Sequence, residues 1–350
     1  MIMVRPKPTD SSLNAYAIVL WLHALPSQAF DVHAHLRRDP EVIAVQTFRT
    51  IAEGLRFPEG PIALADGSIL LVEIEARTLT RISPDGTRSV VAQLEGGPNG
   101  AALGPDGKVY ICNNGGFAWI EDEHGLRPHG APAGDPVGWI ERVDLQTGTV
   151  EQLYHGDGPV KFRGPNDIVF DRAGGFWFTD AGKVNPRMVH RGGVYYGRTD
   201  GSALVEVVYP MWQANGIGLS PDEDRLYVAE TVTGRLWEFE ITGPGEVRKA
   251  GFPSPQGGRL LAGLADYQLF DSLAVDGAGN VCVATLMTGG ITIVSAVGGT
   301  VERVPLPDNY VTNICFGGPD MRTAYATLSQ SGRLVSFDWP RPGLKLNNQQ

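Results

Sequence analysis

The sequence predicts an all-β fold: a six-bladed β-propeller of four-stranded antiparallel blades, with a non-repeat N-terminal extension. Three observations predict it. The first is a repeat. Glu59, Asn99, Asn166, Asn215, Asp271 and Asn313 each stand seven positions before a turn of the type ADG, PDG, RAGG, PDED, GAGN or PDM. Fourteen positions after each, or fifteen in the fourth unit, stands Glu73, Asn113, Asp180, Glu230, Thr285 or Thr327. The second is the short apolar run between the markers: SILLVE, KVYICN, GFWFTD, DRLYVAE, NVCVAT, RTAYAT. The third is a further strand that ends in a turn, as in LTRISPDG, WIERVDLQTG, GVYYGRTDG and LWEFEITGPG. Units of roughly 40 to 50 residues built from short strands are the mark of a propeller.

Residues 1–45 stand outside the repeat. MIMVRPKP is basic, AYAIVLWLHAL is apolar, and Ser27-Gln28-Ala29 has the small-x-small form of a cleavage site. The segment reads either as a signal peptide cut after Ala29 or as an extension of the barrel. The apolar run is too short to span a membrane. The expected location is cytoplasmic, or periplasmic or secreted if the segment is a signal. HAHLRRD at His33–Asp39 reads as a polar linker, because no strand-barrel pattern surrounds its His-x-His. The propeller is assigned to 46–340. QTFRTIAEG alternates like a strand and is expected to pair with the last unit, which is one strand short. Long insertions, Gly115–Gly138 and AGKVNPRMVHRG, each follow the second strand of their units and are expected over one channel mouth. The tail, 341–350, reads as an exposed end.

Composition narrows the function. At 350 residues the length would permit two domains, but the repeats leave no room for a second core. Hydrophobic residues at 42% suffice for a packed core, and 19% charged argues against disorder. The net charge of −10, with no basic cluster, argues against nucleic acid as a partner. Cys112, Cys282 and Cys315 lie in apolar strands without a CxxC pair, so they read as core residues.

Equivalent positions in successive blades form a ring around the axis. Asn and Asp alone would be explained as strand-entry turns. Glu59 and Asp271 in the same slot are not needed for a turn. A ring of carboxylates and amides without His or Cys suits one hard divalent cation, Ca2+ first, with Zn2+, Mn2+ or Mg2+ as alternatives.

EGP at 59–61, RGPND at 163–167, FTD at 178–180, NGIGLSPD at 215–222 and FDSLAVDGAGN at 270–280 closely resemble the senescence marker protein/gluconolactonase/luciferin-regenerating enzyme family. The resemblance spans Phe57 to Phe337. It implies a six-bladed propeller that hydrolyses lactones with a divalent metal at the channel centre. It further implies Glu59, Asn166, Asn215 and Asp271 as metal ligands and Asp271 as the catalytic proton acceptor. Asn99 would meet the substrate, and Arg163 is the nearest match to a substrate-binding Arg of the family. Where many members read PDG, this chain reads Phe270-Asp271-Ser272. A divalent ion would polarise the lactone carbonyl and activate water.

Trp119 and Trp212 are further substrate-binding candidates, among predicted rim residues that include Phe117, Trp139, Met188, Met211 and Met287. This rim leaves room for a more apolar lactone than a sugar lactone. The absence of GxSxG argues against a serine hydrolase. Two alternatives stay open: a phosphotriester or other ester hydrolase on the same site, and a non-enzymatic ligand-binding propeller. The sequence does not determine the oligomeric state.

Overall fold

The computed structural model describes residues 41–43, 47–298 and 301–349. The signal-peptide and HAHLRRD readings fall outside them. The described strands build six blade sheets around a central channel and two separate hairpins, Trp119–Asp122 with Gly125–Pro128 and Val184–Asn185 with Met188–Val189. Blade one contains Pro58–Ala63, Ile69–Glu73, Thr78–Ile82 and Arg88–Gln93, running from the innermost strand outward. Blades two and three repeat this order from Pro98–Leu103 and Pro165–Phe170, blade four from Ala214–Leu219, and blade five from Leu269–Val275. In blade six the chain supplies three strands, Val311–Gly317, Thr323–Leu328 and Arg333–Asp338, and Arg49–Ala52 adds the fourth. The expected closure by the segment before blade one is therefore present. Closing the ring this way covers the edge that the last blade would otherwise expose.

Glu41–Val42 adds a parallel strand to blade five, outside Val301–Pro305. The end of the extension is thus part of a blade, earlier than the expected boundary at 46.

The second strands are continuous apolar runs because neighbouring blades cover both their faces. Ile69–Glu73, Val109–Asn113, Gly175–Asp180 and Val281–Leu286 are buried at every position. Among the described residues, the core divides into six apolar clusters, one between each pair of adjacent blades. Leu70 and Val72 meet Val109 and Ile111 in one, and Leu71 and Ile82 meet Leu334 across the closing seam in another. Each such side chain contributes roughly 1.5–3 kcal/mol by burial, so stability is spread around the ring. The three cysteines are free, as expected.

Segment 341–349 is not a loose end, which corrects the expectation. It lies at the ends of the innermost strands farthest from Glu59. Leu344 donates its N–H to Val275 O at 3.0 Å. The amides of Asn347, Asn348 and Gln349 donate to Phe170 O, Leu103 O and Phe316 O at 3.1, 3.2 and 2.9 Å. Buried strand-end carbonyls need partners. A short run of Asn and Gln supplies them to several blades at once.

Candidate active site

Every innermost strand begins with a one-residue irregularity in its pairing, as at Glu59/Ile62, Pro98/Ala101, Pro165/Ile168, Ala214/Ile217, Phe270/Leu273 and Val311/Asn313. Such bulges re-aim side chains out of the regular alternation. Here Glu59, Asn99, Asn166, Asn215, Asp271 and Thr312 all line one cavity of about 320 Å³. That volume suits a small ring compound.

The sixth position corrects the sequence reading. Thr312, not Asn313, joins the other five at the cavity. Asn313 lies one level deeper, where its Oδ1 accepts the Ile314 N–H just as Asp167 Oδ1 accepts that of Ile168. The polar repeat and the spatial repeat thus slip by one residue in this blade.

The second repeat marker positions the first. Glu73 accepts the N–H of Arg56, Asn113 that of Gly97 and Glu230 that of Trp212, each at 2.8 Å. Asp180 accepts those of Arg163, Gly164 and Gly182 at 3.0, 2.6 and 2.9 Å. In four blades the end of the second strand therefore fixes the backbone two or three residues ahead of the cavity residue. Thr285 and Thr327 bond Thr292 and Thr312 instead.

Glu59, Asp271 and, beneath them, Asp167 are all buried. Burial pushes all three carboxyls up, Asp167 and Asp271 to about 7, and the charge of Asp271 pushes Glu59 up further. The Asn215 amide bonds Asp271 and partly offsets the effect. Asn313 Nδ2 donates to Glu59 Oε2 at 2.7 Å. No basic side chain forms an ion pair with any of the three among the described residues. Buried carboxyls without such a partner either stay protonated or take up another cation. Asn166 Oδ1 is buried and has no hydrogen-bond partner. Asn215 Nδ2 donates to Thr231 Oγ1 at 3.0 Å. Two carboxylates, an orphaned amide oxygen and the Asn215 amide oxygen fit a hard divalent ion. No group of three or more His, Cys, Asp or Glu is arranged for a metal among the described residues. A set of two carboxylates and two amides has a different composition.

The other candidates lie elsewhere. Arg163, Trp119 and Trp212 do not line the cavity. Trp119 packs behind Phe57 and Phe117, at 5.2 and 5.8 Å between ring centroids. Trp212 is half exposed beneath the Arg191 guanidinium, which sits 3.7 Å from its ring. Trp139 bonds Glu141 through Nε1, and Met211 is core. The apolar wall comes from Phe57, Ile74, Phe117, Leu286 and Tyr310. Both insertions do reach the mouth, through Phe117, Pro128 and Ala131 on one side and Ala181–Val184 on the other.

Sequence reasoning missed Asp167 and Lys183. Asp167 carried a signal. It follows Asn166 in the slot that Gly60, Gly100 and Gly216 fill in other blades. Lys183 carried none, because its loop has no counterpart in the repeat.

Residues 57–330 match the family model described as the SMP-30/Gluconolactonase/LRE-like region. The chain belongs to this family. It is 25% identical to lactonase drp35 of Staphylococcus saprophyticus over 79% of this chain and 78% of that protein. It is 26% identical to the gluconolactonase of Zymomonas mobilis over 76% of this chain and 75% of that protein. Among solved structures, a Xanthomonas campestris gluconolactonase shares the fold with a TM-score of 0.65 at 22% identity, covering 84% of this chain and 89% of that one. The calcium-binding regucalcin of Agrobacterium tumefaciens does so with a TM-score of 0.66 at 18% identity, covering 87% and 99%. These likenesses agree with the six-bladed propeller of the SMP-30/gluconolactonase family.

Proposed function

We propose that this protein is a lactonase, which hydrolyses a small lactone to its hydroxy acid and uses one divalent ion, calcium first. The observation that carries the reading is the buried acidic ring, with no basic partner and an orphaned Asn166 oxygen. Membership of the SMP-30/gluconolactonase family, and relatives named lactonase and gluconolactonase, support it. The calcium-binding name of the regucalcin neighbour supports the choice of ion.

Glu59, Asn166, Asn215 and Asp271 would hold the ion. When bound, a divalent ion there supplies Lewis-acid polarisation and lowers the pKa of a neighbouring water. Asp271 is assigned the proton of the attacking water. The water oxygen bonds to the lactone carbonyl carbon, and the ring C–O bond then breaks. The departing ring oxygen takes the proton back from Asp271, which leaves the hydroxy acid. Asn99 orients the substrate from the facing blade, and Phe57, Phe117 and Tyr310 enclose the ring and limit bulk water. The aromatic wall favours lactones with an apolar face.

The test is a lactone panel read by acid release, with excess chelator and after calcium is restored. Turnover that calcium restores is the expected result. Full activity in chelator overturns the metal's role. Inactivity of the calcium-loaded protein on all lactones, with activity on a phosphotriester or another ester, moves the assignment to that chemistry. Inactivity on every substrate class moves it to a binding propeller.

A further inference from the structure

The cavity has one cation among its described lining residues, and no acid side chain pairs with it. Lys183, from the blade-three insertion, is 3% exposed. Its Nζ donates to Gly116 O at 3.1 Å and lies 5.9 Å from the Phe117 ring centroid, so the two insertions meet at this residue. Ala131 N bonds Val184 O at 3.0 Å and ties the loops together a second time. Burial pulls the Lys183 ammonium down to about 8, with Asp135 and Asp180 opposing from beyond ion-pair reach. Asp180 is already occupied by three backbone N–H groups. An ammonium has three donors, and one is engaged here.

A second, independent observation lies beside it. Asn114 lines the same cavity and is 3% exposed. Its Oδ1 accepts the Gly116 N–H at 2.7 Å, while its Nδ2 is buried without a partner. Buried donors without acceptors are costly. The unpartnered Asn114 Nδ2 and the partly engaged Lys183 ammonium are both held at Gly116 and line one cavity.

We infer that Lys183 and Asn114 form an anion recess that selects lactones bearing a free carboxylate. A carboxylate offers one charge and two acceptor oxygens, and the recess offers one charge and two donor groups. A phosphate dianion would leave a charge and an oxygen unmatched. The recess belongs to the blade-three insertion and to the residue that leads into the blade-two insertion, and the acidic ring to the inner strands, so recognition and ring opening are carried by separate elements. The inference rests on the lactonase reading for its substrate, but not for the recess itself.

The test compares a five-membered lactone bearing a carboxylate with its methyl ester, using the calcium-loaded protein. Expected is a preference of about tenfold to a hundredfold in kcat/KM for the acid. Lys183→Met should bring the ratio near one. Lys183→Arg, which keeps the charge, should retain part of it. Equal kcat/KM values in the unsubstituted protein, or a preference that survives Lys183→Met, overturn the inference and leave the lactonase reading intact. A binding arm is independent of turnover. Cyclopentanecarboxylate and its amide are titrated calorimetrically into the chelator-treated protein and into Lys183→Met. Carboxylate binding that is lost in the variant, without turnover of any lactone, keeps the recess and sinks the lactonase reading. If cyclopentanecarboxylate binds no better than its amide, the recess is wrong.

Discussion

Asp271 and Asn99 face the same cavity with different chemistry. Asp271 is a buried carboxylate among other acids, whereas Asn99 is a neutral amide on another blade. Asp271→Asn keeps the shape but removes the charged ligand and proton acceptor proposed above. It should lower kcat by at least about a hundredfold and abolish calcium binding. Asn99→Ala should lower kcat/KM by about tenfold, the value of one hydrogen bond to substrate, with calcium affinity close to that of the unsubstituted protein. Calorimetric titration of calcium into both variants checks the division. An Asn99 variant that loses calcium as completely as the Asp271 variant overturns it.

Gly216 shows how the innermost strands place the site. A Cβ there would lie 2.6 Å from Asp271 O and 2.7 Å from Leu273 N. Gly60 stands in the same relation to blade two, where a Cβ would meet Asn99 O at 2.7 Å. Each glycine lets one strand approach the next at the level of the site. Backbone cannot give way as a flexible side chain can. Gly216→Ala should therefore cost about 1–3 kcal/mol and also weaken calcium binding, because the displacement falls on Asp271. Gly251→Ala, with nothing within 4 Å of the added methyl, serves as the control and should change neither. A Gly216 variant that is destabilised with calcium affinity intact would separate packing from the site. Denaturant melts paired with calcium titrations read both quantities.

Across the whole ring, the two ends of the channel have different duties. One end carries the acidic cavity, and the other is tied by segment 343–349. Removing residues 343–350 takes away the hydrogen bonds of Leu344, Asn347, Asn348 and Gln349 to four blades. At about 0.5–1.5 kcal/mol each, the loss should lower Tm by roughly 3–9 °C. Scanning calorimetry checks this, and an unchanged Tm would show that the segment merely rests on the barrel. The proposed calcium site lies at the opposite end. At a hundredfold excess over Kd it should stabilise the folded protein by about 2.7 kcal/mol. The double variant Glu59→Gln, Asp271→Asn should lose that rise in Tm. A rise that persists in the double variant would place the ion elsewhere.

The repeat of polar markers and apolar runs determined the ring of six blades. In four blades the markers recur because one local solution is reused: a carboxylate or amide at the end of the second strand clamps the backbone ahead of the cavity residue. Periodicity also brought Glu59, Asn99, Asn166, Asn215 and Asp271 to one level, since equivalent strands share one axis. What periodicity could not determine lies where the chain leaves the repeat. Trp119 and Trp212 read as rim residues, yet Trp119 packs behind Phe117 and Trp212 lies under Arg191. Thr312 replaced Asn313 at the cavity because the bulge of blade six, whose place is invisible in the sequence, encloses Thr312 and leaves Asn313 paired with Thr327. Lys183 became the cavity's cation only through the folding of two insertions of unrelated sequence against each other. The Asn-Gln run at 347–349 found its acceptors only once the strand ends were gathered around the axis. Local pattern encodes what every blade does alike, and tertiary contact between unlike segments decides the rest, because no spacing rule connects residues that meet only across the assembled ring.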